Sequence, residues 1–231
     1  MLAIKPYLVL GIGTNVGKTF FTANYCNNSA EGFAEGFAEG FAEGFAEGFA
    51  IKPVATGFVC NENFLDENSD LALLLKATKQ QINQQNIDNI CLYHHPTPIA
   101  PHLVLNIDFA NLVNFCQKKI QQYQNKTLLI ETAGGVFTPI NNQKHFLDLA
   151  ETLQIECLLI ANNYLGAINH TLATIEAIKN RNIYLQKIII NNHQNNNPAT
   201  VQQFIDTLHC FSQNRGWQFD FLEMKKILKN T

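Results

Sequence analysis

Apolar residues fall along the chain in short unbroken blocks, set between longer stretches of mixed polarity. Tyr7–Leu10, Leu128–Ile130, Cys157–Ala161 and Ile188–Ile190 are such blocks, flanked by Lys187 and Thr127. Unbroken apolar runs of this length predict strands buried on both faces, rather than the alternation of a half-solvated sheet. Ile51–Ala55 is a fifth run, and Pro53 inside it predicts a strand end or an edge. Between the blocks the pattern changes to helical spacing. Phe109, Leu112, Val113, Cys116, Ile120 and Tyr123 share one helical face, which predicts a helix over Ile107–Tyr123. Helices are also predicted over Lys18–Asn27, from Asn68 or Ser69 as cap to Leu75, up to about Lys179, over Pro198–Phe211, and from about Phe219. Ile90–Leu105, with Pro96, Pro98 and Pro101, reads as extended. Strands alternating with helices predict an α/β layered fold with a mainly parallel central sheet.

One segment obeys neither period. From Ala30 to Phe49 the chain repeats Ala-Glu-Gly-Phe five times without a substitution. A Phe at every fourth position drifts round a helix, and each glycine costs about 1 kcal/mol relative to alanine there. The expectation is a helix extension, a mobile loop or both, inserted without a functional role into one domain spanning 1–231.

Composition narrows the class. The 231 residues suffice for one large domain, and a net charge of −3 argues against a nucleic-acid partner bound by bulk electrostatics. Cys26, Cys60, Cys91, Cys116, Cys157 and Cys210 show no C-x-x-C spacing and lie mostly in apolar runs. They read as reduced core residues of a cytoplasmic protein, not as a zinc site or disulfide framework. Lys5 interrupts the first apolar run, so neither a secretory signal nor a membrane span is expected.

The chemistry begins where the first strand ends. Gly11-Ile-Gly-Thr-Asn-Val-Gly-Lys-Thr19 joins strand to helix. A glycine-rich loop lets backbone N–H groups crowd round phosphate oxygens, and the helix start adds partial positive charge. Lys18 would sit on the β/γ-phosphates, and Thr19 would offer its hydroxyl to Mg²⁺. The strict G-x-x-x-x-G-K-[ST] spacing needs glycine at Ile12, and Gly11 comes one residue early. In parallel sheets, sites lie at the carboxyl ends of strands. Lys18, Lys52, Glu131 and Asn191 all occupy such ends. A glutamate at the tip of an apolar strand calls for a positive partner. The fold is therefore read as a three-layer P-loop NTPase-like α/β fold.

The set GTNVGKT, KPVATG, NSD, APH, E-x-AGG-x-FTP, GAINH and a strand ending in Asn resembles the dethiobiotin synthetase family. KPVATG (52–57) and LGAINHTL (165–172) are its most specific pieces, and the early Gly11 matches that family's loop. The resemblance implies ATP-dependent ring closure of 7,8-diaminopelargonate with CO2, through a carbamate and a mixed anhydride. It implies catalytic Lys18, Lys52 and Thr14, with Thr56 also on the carbamate. Nucleotide contacts would come from Asn15, Val16, Gly17, Lys18, Thr19, Phe20, Asp70, Glu131, Thr132, Ala133, Gly134, Asn191 and Asn192. Thr19, Asp70 and Glu131 are hard oxygen ligands suited to Mg²⁺, and the Asn191 amide can pair with an adenine edge. The family holds the substrate carboxylate at a helix start, here Gly166, Ala167 and Asn169, across a homodimer with shared sites. Thr132 stands where the family usually has glycine, and no Gly-x-x-Pro loop follows Asn192.

Two rival readings differ in class. A deviant-Walker ATPase switch of the ParA/MinD kind carries an extra lysine early in the loop, where this chain has Gly13. Lys225, Lys226 and Lys229 suit a membrane-surface helix, but Asp220 and Glu223 dilute that charge and favour docking on the core. The other rival is a catalytically decayed nucleotide-binding homologue, against which every charged family residue is present.

Overall fold

A computed structural model describes residues 2–28, 48–58, 60–61, 64–192 and 198–224. Six strands form the central sheet: β1 (Pro6–Gly11), β2 (Gly48–Ile51), β7 (Thr127–Glu131), β8 (Glu156–Asn162), β9 (Leu185–Asn191) and β10 (Asp220–Met224). Their order is β10-β9-β8-β1-β7-β2, and every pairing is parallel. Successive side chains of a strand point to opposite faces. All of β7, and β1 and β8 after their first residue, are buried, so both faces of the sheet are covered and three layers result. The covering helices include α1 (Lys18–Asn28), α5 (Phe109–Gln122), α6 (Phe146–Leu153), α7 (Ala167–Asn180) and α8 (Pro198–Asn214).

A second, smaller layer of chain stands over the carboxyl end of β2. It holds β3 (Val54–Thr56) paired in parallel with β6 (Tyr93–His95), the two-stranded β4 (Cys60–Asn61) and β5 (Phe64–Leu65), and helices α2 (Asp70–Ala77), α3 (Gln84–Ile90) and α4 (Pro101–Val104). Ser69 caps α2, accepting from Ala72 N at 3.3 Å, as the sequence predicts.

Three expectations need correcting. The run Ile51–Ala55 is not one strand: it breaks at Lys52–Pro53 and sends β2 to the central sheet and β3 to the small one. Pro53 lacks an N–H but its carbonyl accepts from both Leu92 N and Tyr93 N at 3.0 Å, which suits a crossing point between sheets. The central strand is instead completed backwards by Gly48 and Phe49, the end of the last Ala-Glu-Gly-Phe copy. Phe49 is buried and stacks on Tyr123 at 3.9 Å, so the end of this copy is part of the core. Residues 30–47 of the array lie outside the described residues.

The predicted C-terminal helix is, over Asp220–Met224, the strand β10. Pairing with Lys187–Asn191 satisfies the β9 edge with a full ladder, which local helical spacing does not foresee. Residues 225–231 lie outside the described residues. The proline-rich stretch is also less extended than predicted, since Pro101 opens the one-turn helix α4.

Candidate active site

The loop between β1 and α1 folds round its own lysine. Lys18 is 6% exposed, and its Nζ donates to Gly13 O at 2.9 Å and Gly134 O at 2.7 Å. At Gly11 a Cβ would come to 2.9 Å from both Lys18 Nζ and Val16 Cγ2, so any side chain there would displace the lysine tip. Gly17 holds φ at +99°, and a Cβ on it would meet Asn191 Nδ2 at 2.2 Å. Burial, followed by the charge of Lys52, pulls the Lys18 pKa down to about 8.

Beside it lies a network of opposite charges. Glu131 is 1% exposed, and its Oε1 accepts from Thr19 Oγ1 at 2.6 Å and Lys52 Nζ at 2.8 Å. Lys52 Nζ also pairs with Asp70 Oδ2, so one ammonium bridges two carboxylates from β7 and the start of α2. Burial opposes the Lys52 charge, but Glu131 and Asp70 together outweigh it and its pKa is raised. Burial likewise opposes the Asp70 charge, and Lys52 outweighs it, so the Asp70 pKa is lowered. Among the described residues Glu131 Oε2 is buried with no hydrogen-bond partner, an acceptor left open beside the charged network.

These residues line one cleft of about 940 Å³. Of the residues singled out from sequence, Thr14, Asn15, Gly17, Lys18, Thr19, Phe20, Lys52, Thr56, Asp70, Glu131, Ala133 and Gly134 all face it. Phe58, Leu71, Leu73, Pro98 and Ile99 give it an apolar wall, beside the polar Asn24, Asp66, Asn68, Ser69 and Thr138. Asn15 reaches the cleft rim in the left-handed region at φ 57°.

Other predicted residues fall outside the cleft lining. Thr132 is 1% exposed, and its Oγ1 donates to Val9 O at 3.0 Å, so its side chain belongs to the sheet. Val16 is buried; its carbonyl accepts from Asn191 Nδ2 at 3.1 Å, which ties the end of β9 to the phosphate loop. Asn191 and Asn192 are absent from the lining. Gly166, Ala167 and Asn169 begin α7 away from it, with Gly166 at φ 96° and no side-chain cap. Leu165 beside them is fully exposed, as Asn169 is largely. A second cavity of about 570 Å³ lies between the phosphate loop and α7, lined by Thr14, Asn15, Phe137, Asn162, Tyr164 and His170 among others.

Sequence reasoning passed over two features of the cleft. One is Thr138, which borders it and holds the glycine turn; a hydroxyl residue three positions after Gly135 is the available signal. The other is the Pro98–Pro101 wall, legible as a proline-rich stretch and through the APH motif that begins at Ala100. The buried Cys26, Cys91, Cys116 and Cys157 thiols are pushed up to about 12 by burial, in keeping with inert core residues. Among the described residues no helix is long and apolar enough to cross a membrane.

Comparison with known proteins adds family membership. The AAA domain family profile matches residues 5–212. An ATP-dependent dethiobiotin synthetase of Legionella pneumophila (strain Paris) is 34% identical over 81% of this chain and 80% of its own. The enzyme of that name from Acidiphilium cryptum is 31% identical over the same shares of the two chains. One from Francisella tularensis subsp. novicida is 29% identical over 97% of both. Among solved structures, a ParA family ATPase from Chlorobium tepidum is similar at a TM-score of 0.49 and 13% identity, covering 95% of this chain and 84% of its own.

Proposed function

The chain belongs to the dethiobiotin synthetase family, and from that premise we propose that it is an ATP-dependent ligase that closes the ureido ring of dethiobiotin. Its substrates are 7,8-diaminopelargonate, CO2 and ATP. One amine takes up CO2 as a carbamate. The carbamate oxygen attacks the γ-phosphorus and ADP leaves. The second amine then attacks the carbamoyl carbon and inorganic phosphate leaves, closing the ring.

The observation that carries this reading is a single cleft holding the phosphate loop, Lys52, Thr14 and Thr56 together. Such a reaction spreads negative charge over phosphoryl and carbamoyl oxygens, so catalysis is mainly positioning and electrostatic stabilisation. Lys18 fits the β/γ-phosphates, where two backbone carbonyls already orient its ammonium. Lys52, charged throughout the neutral range, fits the anhydride. Thr14 and Thr56 have hydroxyls at the cleft to hydrogen-bond the carbamate. The apolar wall of Leu73, Pro98 and Ile99 suits an alkyl chain.

Thr19, Asp70 and Glu131 would hold Mg²⁺. The fit is supported by the orphaned, buried Glu131 Oε2 and by a donor set of hard oxygens. Bound there, the cation would neutralise phosphate oxygens. The Asn191–Val16 contact gives the adenine end a fixed floor, and Asn191 and Asn192 are proposed to face the base.

The start of α7 does not reach the cleft of its own chain, so we propose a homodimer in which Gly166, Ala167 and Asn169 serve the partner's substrate carboxylate. The enzyme would work in the cytoplasm, without nucleic acid or membrane. The test is phosphate release from ATP with bicarbonate, with and without diaminopelargonate, and dethiobiotin identified by mass. Diamine-dependent release with product is expected; release that ignores the diamine overturns the reading.

A further inference from the structure

Thr138 follows the glycine turn after β7, and the chemistry above gives it no part. Its Oγ1 accepts the Gly135 N–H at 2.9 Å, and its own N–H donates to Gly135 O at 3.0 Å. Its side chain also stands against Gly134, where φ is +65° and a Cβ would come within 2.2 Å of Thr138 Oγ1. One side chain therefore closes the turn from both sides, and only glycine at 134 leaves room for it.

That turn makes two contacts with the phosphate loop. Gly134 O is the shorter of the two acceptors of Lys18 Nζ, at 2.7 Å. Gly135 lies against the loop backbone, a Cβ on it standing 3.3 Å from Gly13 Cα and 3.4 Å from Gly13 N. Gly13 O is the other acceptor of Lys18, at 2.9 Å. Of the two carbonyls that orient Lys18, Gly134 O thus belongs to a turn closed by a hydrogen bond to Thr138 Oγ1, and Gly13 O lies in the loop segment packed against that turn. Lysine is a compact charge on a flexible four-carbon stem, so its aim depends on what holds the ammonium.

We propose that Thr138 is the positioning residue for Lys18: it acts on bound phosphate only through the Gly134–Gly135 turn. The inference rests on phosphate binding by the loop and is independent of which substrate receives the phosphoryl group. Without Oγ1 the Gly135 N–H loses its acceptor, a loss that corresponds to about a tenfold change in an equilibrium. The loosened turn carries Gly134 O with it.

The test is ATP affinity by calorimetry on the full chain, for Thr138→Val and Thr138→Ser in the wild-type and Lys18→Met backgrounds. Thr138→Val is expected to weaken ATP about tenfold, and Thr138→Ser, which keeps the acceptor, to bind within about twofold of wild type. In the Lys18→Met background Thr138→Val is expected to change affinity by less than about twofold, because residues acting through one another are not additive. An equal loss in both backgrounds, or a serine variant as weak as the valine variant, overturns the proposal. If Thr138→Val does not fold, Thr138→Ala serves in its place, since it also lacks the oxygen. Failure of diamine-dependent turnover with these affinities unchanged would strike the ring-closure reading alone.

Discussion

The cleft at β1, β7 and α2 and the surface at the start of α7 are two polar regions of opposite character. In the cleft, Lys18, Thr19, Lys52, Asp70 and Glu131 are tied to one another or to backbone carbonyls, and Glu131 and Lys52 are 1% and 5% exposed. At α7 the helix begins without a side-chain cap, Leu165 is fully exposed, and nothing lies within 4 Å of where a Gly166 Cβ would be. The first region is preorganised within one chain. The second presents, among the described residues, an uncapped helix start and apolar surface left exposed. A helix start without a side-chain cap beside exposed leucine suits a charged ligand end and a second protein surface together.

The strongest way to break this contrast is to remove the cleft charges. Lys18→Ala and Lys52→Ala are each expected to lower turnover on the order of 10²–10³-fold. Lys52→Ala should also destabilise the fold by about 3–5 kcal/mol, because buried Glu131 then loses its counter-charge. Turnover kinetics and thermal melts measure the two effects. Near-full turnover in Lys52→Ala would remove Lys52 from the chemistry.

The α7 surface is tested by mixing. If Asn169 serves the partner's cleft, inactive Lys18→Ala and Asn169→Ala subunits should complement. About half of randomly exchanged dimers are hybrids with one intact site, so about a quarter of wild-type turnover should return. No recovery after proven subunit exchange would make each chain self-sufficient.

pH sharpens the electrostatic side. The Lys18 pKa in the free protein is lowered to about 8, below its ordinary value, so the ammonium is lost as pH rises through that value. ATP affinity should hold level below about pH 8 and then fall by up to about tenfold per unit above it, as binding comes to require proton uptake. The same burial works against the folded state while Lys18 is charged, so that penalty should lift between about pH 8 and the unfolded lysine value. Calorimetric titrations across pH would show the break, and an affinity flat to pH 10 would contradict it. Smaller still, Asp70→Asn and Glu131→Gln should raise the Mg²⁺ concentration for half-maximal turnover, since a hard cation weakens with ligand charge. A Mg²⁺ titration unmoved in both would take them out of the metal shell.

The smallest effect is expected from the array. Deleting Ala34 to Phe45 in frame keeps the last copy, and ATP affinity and turnover should stay within about twofold because loop length is entropically cheap. Phe49→Ala, in that last copy, should by contrast cost about 3–5 kcal/mol, since it removes a buried ring stacked on Tyr123. Equal tolerance of both changes would deny that Phe49 belongs to the core.

The sequence alone determined what local period and spacing encode. Unbroken apolar runs gave β1, β7, β8 and β9, the glycine spacing gave the phosphate loop, and Ser69 gave the start of α2. Lys18, Lys52, Asp70 and Glu131 were legible too, because polar residues at the ends of buried strands have few other reasons to be there. Tertiary structure alone decided where identical local signals diverge. Nothing in the local sequence of the last Gly-Phe pair distinguishes it from the four before it, yet Gly48-Phe49 joins Ile51 in register with β7, where Phe49 meets Tyr123. Phe219–Met224 reads as a helix until the open edge of β9 offers it a ladder. The partner of the Thr132 hydroxyl, Val9 O, has no local signal, and Thr138 is only one letter of the E-x-AGG-x-FTP motif until the turn folds back on it. Each of these outcomes depends on a partner more than seventy residues away, on one edge strand, or on one turn. A chain's local pattern carries its own periodicity but not the identity of what will stand opposite it.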